Sequence, residues 1–455
     1  MTQPLSNLQA RDLDAVLHPY SPLHKLREIG PTIMASGNGV FIQDTQGKEY
    51  IEGMSGLWCA GLGFGNEEMI EAAEKQLRSL PYYHQFGGRG TEPAIELAEK
   101  LKELAPTPQS KVFYTSSGSE ANDTQVKLAW YYNNALGRPK KKKIISRIKA
   151  YHGVTMMAAS LTGLPYNHME FDLPFDGVLH TECPHYYRFG QEGESEEEFV
   201  ARLAASLEAM IEREGGDTIA AMIAEPVMGA GGVIPPSAGY FQAIQPILQK
   251  HGIPLISDEV ICGFGRTGQT WGCETYDFMP DAIISSKNLT AGYFPMGAVI
   301  LGDALTDRLQ AAAEAIEEFP HGFTASGHPV GCAIALKAID VVMNEGLIDN
   351  VRALTPLFEE GLARMAEKKN IGEWRGKGLM GAVEAVADKD SKTPFDGSLS
   401  VSERIANACT DQGLICRPLG QAVVLCPAFI MTPAQMDEMF GKLDKALDQV
   451  FAEVG

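Results

Sequence analysis

The middle of the chain alternates between short, continuously apolar segments and longer amphipathic ones. The apolar segments predict strands at residues 111–115, 143–146, 218–225, 253–258 and 282–287. Amphipathic periodicity predicts helices between them at residues 120–137, 197–216 and 239–252. Strands that are apolar along their whole length are typical of a parallel sheet covered by helices on both faces. The sequence therefore predicts an α/β fold whose ligand crevice lies past the carboxyl ends of the strands.

The alternation stops near residue 330. A long helix is predicted at residues 330–344, then short strands, and a final helix from about residue 432. The N-terminal segment contains a strand–turn–strand pattern, so we expect the two ends of the chain to pack together as a smaller α+β domain. The predicted division assigns residues 1–65 and 330–455 to this small domain and residues 66–329 to the large one. A chain of 455 residues is long enough for two such domains.

Charge and apolar content argue against nucleic acid and membrane as partners. The formal net charge is −20, which repels nucleic acid and anionic lipid surfaces. No segment is apolar over the length of a membrane span, and the N-terminus lacks the basic and apolar parts of a signal peptide. The eight cysteines form no CxxC pair and no metal-like spacing with histidine, so we expect reduced thiols, no metal and a cytoplasmic location. The one compact basic run, residues 140–143, is interpreted as a solvated turn.

Charged side chains stand at the ends of three predicted strands, namely Glu225, Asp258 and Lys287. A fourth strand leads into "TSSGSEAN", residues 115–122, where small residues open a helix and can expose N–H groups to an anion. Simple explanations are a surface lysine at a strand end and serines that only cap the helix. Together, however, an amine, a carboxylate and an anion cradle at one sheet edge are the parts that pyridoxal phosphate requires.

Five segments occur in an order that resembles one family over nearly the whole chain. They are "SGSEAND", "AYHG", "LISDEVICGFGRTG", "PDAIISSKNLTAGYFPMGAVI" and "HGFTASGHPVGCA", and together they resemble the class III aminotransferases. Within that family the chain is most similar to the (S)-selective amine:pyruvate transaminases, the omega-transaminases. The resemblance implies the pyridoxal-phosphate-dependent transferase fold type I. It also implies a homodimer, or a tetramer, whose active sites are shared between subunits.

The resemblance also implies roles for individual residues. Lys287 is expected to hold the cofactor covalently and to shuttle the proton, and Asp258 to pair with the pyridine nitrogen. His152 is expected to support the site beside Tyr151 rather than to act as a base. Gly118 and Ser119 are expected to bind the phosphate, and Tyr151 and Val260 to contact the two faces of the ring. Glu225 is expected to support the site beside Asp258, and Thr324 to reach the partner subunit's cofactor.

Two positions bear on the second substrate. Relatives that use omega-amino acids and 2-oxoglutarate commonly carry Gln and Glu at the positions of Ile261 and Ala230. In those relatives the glutamate pairs with a mobile arginine, and Ala230 removes that partner, which favours pyruvate. Arg417 is expected to be the mobile arginine that binds a keto-acid carboxylate, with a surface salt bridge as the alternative explanation.

An aromatic pocket is expected for the apolar part of the amine. Its predicted lining residues are Leu57, Trp58, Phe86 and Tyr151. Tyr20 fits a place in the pocket or in the core equally well. A further contact is expected from Arg89 of the partner subunit. The expected reaction moves an amino group from an amine to pyruvate and gives a ketone or aldehyde and L-alanine. The nearest alternative is a beta-alanine or other omega-amino-acid transaminase. An aminomutase or a decarboxylase on the same cofactor also stays open.

A different class of protein is suggested by "GFGRTG", residues 263–268, which matches the dinucleotide fingerprint G-x-G-x-x-G. That fingerprint must open a helix, and the residues that follow it have no helical periodicity. We therefore do not expect an NAD-dependent oxidoreductase. A binding protein without catalytic activity would have no need of Lys287 at a strand end facing Asp258.

Overall fold

The computed structural model of the chain describes residues 5–454, apart from the side chains of Gln109, Ser110, Ala304, Arg308 and Ala315. The strands are β1 Met34–Asn38, β2 Phe41–Asp44, β3 Glu49–Glu52, β4 Gln109–Thr115, β5 Lys143–Arg147, β6 Val178–Thr181, β7 Ile219–Ala224, β8 Leu255–Asp258, β9 Ala282–Ser285, β10 Gly297–Gly302, β11 Ile371–Gly376, β12 Gly381–Ala385, β13 Leu414–Ile415, β14 Arg417–Leu419 and β15 Ala422–Leu425.

The helices are α1 Asn7–Ala15, α2 Leu23–Ile29, α3 Ser55–Trp58, α4 Glu67–Ser79, α5 Glu92–Leu104, α6 Gly118–Ala135, α7 Met156–Leu161, α8 Tyr186–Phe189, α9 Glu196–Glu214, α10 Tyr240–Lys250, α11 Gly272–Thr275, α12 Asp303–Ala315, α13 Pro329–Asn344, α14 Leu347–Ala366, α15 Val401–Asp411 and α16 Pro433–Val454. Short 3₁₀ turns lie at Phe86–Gly88, Pro165–Asn167, Gly216–Thr218, Lys287–Leu289 and Gly397–Leu399. Within the described residues no helix combines the length and the apolar character needed to cross a bilayer.

The large sheet has seven strands in the order β4-β10-β9-β8-β7-β5-β6. Strand β10 runs antiparallel to both of its neighbours, and the pairs from β9 to β6 are all parallel. The predicted α/β fold with a mostly parallel sheet is confirmed. Strands β6 and β10 were not predicted from the sequence.

Both faces of this sheet are buried, which is why its strands are apolar throughout. In β10, Ala298 and Ile300 belong to one core cluster, whereas Val299 and Leu301 belong to the cluster on the opposite face. The first cluster includes side chains of α5, α9 and α10, and the second includes side chains of α6. Each fully buried aliphatic side chain contributes about 1.5–3 kcal/mol to folding. The two layers therefore hold the strand ends, and the side chains on them, in fixed positions.

The two ends of the chain meet in a second sheet of order β1-β2-β3-β13. Strand β13 pairs in parallel with β3, with Leu414 opposite Ile51 and Ile415 opposite Glu52. A third sheet, β11-β12-β15-β14, is antiparallel throughout. The domain boundaries drawn from the sequence stay a prediction.

The basic run at residues 140–143 is not simply a solvated turn, so that interpretation was wrong. Lys141 is only 5 % exposed, and its Nζ donates to the carbonyl oxygen of Gly252 at 2.8 Å, just past the end of α10. Lys143 begins β5 and pairs with Glu214 at 2.9 Å. Carbonyl groups at helix C-termini lack intrahelical donors, and lysines next to them satisfy this need.

Candidate active site

Three neighbouring parallel strands carry their charged residues to one place. Asp258 is the last residue of β8, Glu225 follows β7 directly, and Lys287 comes two residues after β9. All three side chains line a cavity of about 200 Å³. The cavity is also lined by Gly118, Ser119, Tyr151, His152, Gly153, Val260, Ile261 and Ser286. The parallel register of the sheet therefore gathers residues that lie far apart in sequence.

Lys287 is held in an unusual backbone conformation with a φ of 46°. A left-handed conformation in a residue other than glycine costs about 1–3 kcal/mol and is found mainly at functional sites. Within residues 5–454, no hydrogen bond or ion pair engages its Nζ. Burial lowers the pKa of Lys287, and the nearby Asp258 charge opposes that shift. The lowered pKa favours the neutral amine, which is the nucleophilic and basic form.

Asp258 is oriented by three donors. Its Oδ2 lies 2.7 Å from His152 Nδ1 and accepts a hydrogen bond from Asn122 Nδ2 at 3.0 Å, and its Oδ1 accepts one from the Val260 N–H at 3.1 Å. His152 is thus hydrogen-bonded to Asp258 through its ring, in addition to lying next to Tyr151 in sequence. Asn122 was missed by the sequence analysis, although it belongs to the quoted segment "SGSEAND". Its amide also donates to the carbonyl groups of Gly118 and His152, so it ties α6 to the loop after β5.

The N-terminus of α6 forms an anion cradle in addition to being capped. Ser117 is the N-cap, since its Oγ accepts from the Glu120 N–H at 3.2 Å, and the Glu120 carboxylate accepts from the Ser116 N–H at 2.7 Å. The N–H groups of Gly118 and Ser119 have no acceptor among the described residues. Free N–H groups at the positive end of a long helix favour a bound anion.

Glu225 braces two walls of the cavity. Its Oε1 accepts a hydrogen bond from the Tyr151 N–H at 2.9 Å, and its Oε2 accepts one from the Gly229 N–H at 3.0 Å. Burial raises the pKa of Glu225, with an opposing effect from His152. The carboxyl group therefore fixes both the backbone of Tyr151 and the turn that carries Ala230.

Pyridoxal phosphate, the cofactor implied by the sequence resemblance, fits these residues. Among the described residues, the cavity presents a lysine amine without a hydrogen-bond or ion-pair partner, a carboxylate oriented by three donors, and a helix N-terminus with two free N–H groups. A side chain at the position of Gly118 would be crowded, because a Cβ there would lie 3.0 Å from Val260 Cγ2. Lys287, Asp258 and the Gly118–Ser119 amides would hold the amine-reactive, ring-nitrogen and phosphate ends of such a cofactor.

Several predicted site residues do not line this cavity in the single chain. Trp58 is 2 % exposed and belongs to a cluster that includes Val227 and Ile261. Leu57 and Phe86 are 57 % and 51 % exposed. Thr324 is exposed too, and its carbonyl oxygen accepts a hydrogen bond from the Tyr82 hydroxyl at 2.8 Å. The substrate and cofactor roles of these residues stay predictions.

Arg417 and Tyr20 lie near Tyr151. Burial raises the pKa of Tyr151, the Tyr20 hydroxyl adds to the rise, and the Arg417 charge opposes it. The Tyr20 hydroxyl accepts a hydrogen bond from Asn167 Nδ2 at 2.6 Å, and its ring meets that of Tyr166 edge-on at 6.4 Å. Tyr166 was not singled out in the sequence, where it belongs to no motif.

Arg89, also predicted as a contact, is exposed and donates to the Phe86 carbonyl at 3.5 Å.

The dinucleotide-like segment opens no long helix. Residues 263–268 form turns, and the α-helix that follows them, α11, spans four residues. The guanidinium of Arg266 is buried, lies 4.4 Å from the centre of the Phe429 ring and donates to the Leu379 carbonyl at 3.0 Å. The prediction that no long helix follows this segment is therefore confirmed.

Comparison with known proteins assigns the family. A profile described as "Aminotransferase class-III" matches residues 26–447. The structure is similar to an aminotransferase from Vibrio fluvialis in its PMP-bound form, with 63 % identity, 100 % of both chains covered and a TM-score of 0.97. It is equally similar to an omega-aminotransferase from Paracoccus denitrificans, with 63 % identity, 99 % and 100 % coverage and a TM-score of 0.97.

Curated relatives are named for gamma-aminobutyrate as their substrate. Gamma aminobutyrate transaminase 3 of Solanum lycopersicum is 45 % identical over 433 residues, which is 95 % of this chain and 83 % of that protein. A PLP-bound variant of the Vibrio fluvialis enzyme is 62 % identical over the whole chain, with a TM-score of 0.97. From the family match, these relatives and the geometry of the cavity, the chain belongs to the class III aminotransferases and uses pyridoxal phosphate.

Proposed function

We propose that this aminotransferase moves the amino group of an amine without an α-carboxylate to pyruvate, releasing a ketone or aldehyde and L-alanine, with preference for (S)-amines. The observation that carries the proposal is that Arg417 lies near the site without a partner. Its charge lowers the pKa of Tyr151 and of Lys287, yet within residues 5–454 its guanidinium takes part in no hydrogen bond or ion pair. An arginine beside the site without a carboxylate partner is available to a keto-acid carboxylate.

Ala230 supports pyruvate as that keto acid. It lies on the turn after Gly229, which Glu225 fixes against the cavity, and its methyl group offers no charge to Arg417. A carboxylate at this position would pair with the arginine and hold it away from an apolar substrate. Without such a carboxylate, the arginine serves the small keto acid and can leave room for a bulky amine.

Relatives support the same substrate class. One similar structure is a thermostable omega transaminase variant with one tryptophan, one phenylalanine and one arginine replaced, engineered for the synthesis of enantiopure bulky amines; it is 46 % identical with a TM-score of 0.98. This chain offers the same three residue types in Trp58, Phe86 and Arg417. We propose that these three residues line the amine pocket.

The chain's own residues perform the proton chemistry. When bound, the cofactor supplies a conjugated ring that takes up the electrons of the broken C–H bond. Lys287 Nζ, whose pKa is lowered by burial, would accept the proton from the substrate carbon and return it to the cofactor side. Asp258, oriented by Asn122 and His152, would pair with the ring nitrogen. Tyr151 and Val260 would enclose the ring and exclude water.

An omega-amino acid as donor is the second candidate function, and the curated relatives favour it. Several are named gamma-aminobutyrate transaminases, at 43–46 % identity. The same free Arg417 suits the carboxylate of such a donor. The two candidates therefore differ in whether the donor needs a carboxylate.

We also propose a homodimer, or a tetramer built from it, in a cytoplasmic location. Phe86 and Thr324 are exposed and lie outside the cavity of their own chain, which supports roles in a partner's site. The cysteines all lie in the described part of the chain and form no disulfide, in keeping with a reducing compartment.

The test is product formation from each enantiomer of 1-phenylethylamine, with pyruvate and with 2-oxoglutarate as acceptor. The proposal predicts acetophenone and L-alanine from the (S) form with pyruvate, and much slower turnover in the other three combinations. Gamma-aminobutyrate and beta-alanine are the matched carboxylate donors. Fast turnover of these two without any from 1-phenylethylamine would replace the proposal with the second candidate.

A further inference from the structure

The turn between β3 and Trp58 is strained. Ser55 and Trp58 have φ angles of 48° and 68°, and Gly56 between them has a φ of 63°. Each left-handed residue other than glycine costs about 1–3 kcal/mol and persists only where its surroundings impose it. We call residues 53–58 the tryptophan turn. Some feature of the fold must hold it in this shape.

Glu52 is that feature on one side of the turn. It is 3 % exposed, its Oε1 accepts a hydrogen bond from the Met54 N–H at 3.1 Å, and its Oε2 accepts one from the Gly56 N–H. No lysine, arginine or histidine forms an ion pair with it within residues 5–454. A buried carboxyl group without a cation is costly unless its oxygens find donors. Here the donors found for its carboxyl oxygens belong to the tryptophan turn.

Ser55 anchors the opposite side of the turn. Its hydroxyl donates to the Cys426 carbonyl at 2.7 Å and accepts from Arg266 Nη2 at 3.3 Å. The Gly53 N–H donates to the Ile415 carbonyl at 2.9 Å. The tryptophan turn is therefore tied to β13 and to the end of β15, which lie on either side of β14 in the chain, and β14 begins with Arg417.

The far end of the turn reaches the cavity. Trp58 packs in one cluster with Ile261, a cavity residue. Cys59, the next residue, is close enough to Lys287 to affect its pKa, and a Cβ on Gly292 would lie 3.2 Å from Cys59 Sγ. A change in the turn would therefore move a wall of the site without touching the reacting groups.

We propose that Glu52 is a specificity-determining positioning residue, whose carboxyl group holds the tryptophan turn so that Leu57 and Trp58 form the wall that receives the apolar part of the amine. The inference rests on the proposed function only in taking these two residues as that wall. Glu52 touches neither substrate nor cofactor in this role. It acts through the turn, and its loss should affect large donors more than small ones.

The test compares Glu52→Gln with a matched control, Asp44→Asn. The amide introduced by Glu52→Gln keeps the size of the side chain and one acceptor oxygen but cannot accept from both N–H groups. Asp44 is 8 % exposed and its Oδ1 accepts from the N–H groups of Gln46 and Lys48 at 2.8 and 3.0 Å, in the turn between β2 and β3, away from the cavity. Both substitutions weaken a turn that is held by a carboxyl group, and only one of these turns leads to Trp58.

The readout is the amine half-reaction of the holoenzyme, followed by cofactor absorbance without an acceptor. The donors are L-alanine and whichever of (S)-1-phenylethylamine, beta-alanine and gamma-aminobutyrate the wild type uses best. For Glu52→Gln, the half-saturating concentration of the larger donor should rise about tenfold and that of L-alanine less than about twofold, with limiting rates nearly unchanged. Asp44→Asn should lower the melting temperature and leave the donor ratio unchanged.

An unchanged donor ratio in Glu52→Gln, or an equal shift in Asp44→Asn, would overturn the inference. If Glu52→Gln does not fold, Ser55→Ala removes the opposite anchor and should shift the ratio in the same direction; an unshifted ratio there also overturns it. Failure of the proposed function looks different. In that case the wild type ignores 1-phenylethylamine, and the ratio measured with an omega-amino acid still decides the role of Glu52.

Discussion

At the scale of single residues, the position of Lys287 two residues past a buried strand accounts for both its strain and its lowered pKa. Its left-handed backbone aims the side chain from the strand end into the cavity, where Asp258 and Glu225 arrive from the adjacent strands. The same burial that makes a lysine costly there makes its amine more easily deprotonated. Strain and burial at this residue are thus consistent with a catalytic role.

Replacing Lys287 with alanine should abolish turnover while the fold remains. Its Nζ makes no hydrogen bond or ion pair within the described residues, so the folded state loses little. Loss of the proton-transferring amine should lower kcat by at least about 10³-fold. Ketone release and thermal melting are the measurements, with the exposed Lys140→Ala as control. A Lys287→Ala enzyme with more than a few per cent of wild-type turnover would contradict the assignment.

Replacing Arg417 with alanine should separate the two substrates. Charge-assisted hydrogen bonds contribute about 1.5–3 kcal/mol, so kcat/KM for pyruvate should fall about 10–100-fold. The value for (S)-1-phenylethylamine should change less than about threefold, because that amine has no carboxylate. Arg404→Ala, which removes a surface pair with Glu453, is the control. Equal losses for both substrates would count against a carboxylate-binding role.

Glu52 should leave a signature in the pH dependence of stability. Burial raises its pKa to about 8, so the folded chain holds this proton more tightly than the unfolded chain. Its contribution to stability is therefore full below about pH 4.5 and is lost as the pH rises to about 8, at up to about 1.4 kcal/mol per pH unit. The melting temperature of the wild type should fall more between pH 5 and 8 than that of Glu52→Gln. Asp44→Asn should track the wild type over this range, and parallel curves for all three would refute the titration.

The charged residues at the strand ends of the large sheet were predicted from the sequence, whereas Asn122 on α6 and Glu52 at the end of β3 were not. Lys287 and Asp258 follow from the apolar runs that precede them. Asn122 did not stand out, because one asparagine in a helix has many explanations and only the folded chain shows that it reaches Asp258. Glu52 was missed for a similar reason, since the donors it binds are backbone groups that every residue has.

At the scale of elements, the face of α6 that carries Thr124 and Lys127 holds the segment on which Thr324 lies. The link is His321, whose Nε2 is 3.0 Å from Thr124 Oγ1 and whose Nδ1 is 2.9 Å from Lys127 Nζ. Its ring stacks on Phe113 of β4 at 5.1 Å with an angle of 7° between the planes. Burial lowers the pKa of His321 to about 4, so the ring is neutral at ordinary pH and can accept from the lysine.

Removing this link should weaken cofactor retention if Thr324 reaches the partner subunit's cofactor. His321→Ala leaves two hydrogen bonds and a stacking contact unmade, and the dissociation constant of pyridoxal phosphate should rise about tenfold. Equilibrium dialysis of the cofactor measures the change, with His251→Ala as control because that histidine lies away from the cavity. The same affinity in both variants would argue against this route.

Element boundaries followed from the sequence where periodicity was strong. Helices α6, α9, α10, α13 and α16 agree with the predicted ones to within about two residues. Strand β10 was missed because it runs antiparallel within the sheet, after a loop rather than a helix, and strict strand–helix alternation gives no sign of it. Strand β6, with only four residues including His180 and Thr181, is too short and too polar for a pattern.

At the scale of the whole molecule, a group of exposed apolar side chains indicates an incomplete surface. Tyr82, Tyr83 and Phe86 are 40 %, 40 % and 51 % exposed, and Leu57 is 57 % exposed. Exposed apolar side chains, three of them within five residues of one another, suit contact with another subunit. Of these four, only Leu57 and Phe86 were predicted to be functional from the sequence, and the exposure of all four depends on how the loops fold.

The solution mass should therefore be at least that of a dimer. One chain has a mass of 49.3 kDa, so light scattering after size exclusion should give about 2 × 49.3 kDa or a multiple of it. The sample should be the holoenzyme at micromolar concentration. Fully active enzyme at the mass of one chain would contradict the proposed sharing of active sites.

The most direct test of the account is to find the lysine that carries the cofactor. Borohydride reduction of the holoenzyme fixes the pyridoxyl group on its lysine, and peptide mass spectrometry then identifies that residue. The strand-end site predicts the label on the peptide that contains Lys287, with none on the neighbouring lysines. A label on any other lysine would show that the cavity formed by β7, β8 and β9 is not the active site.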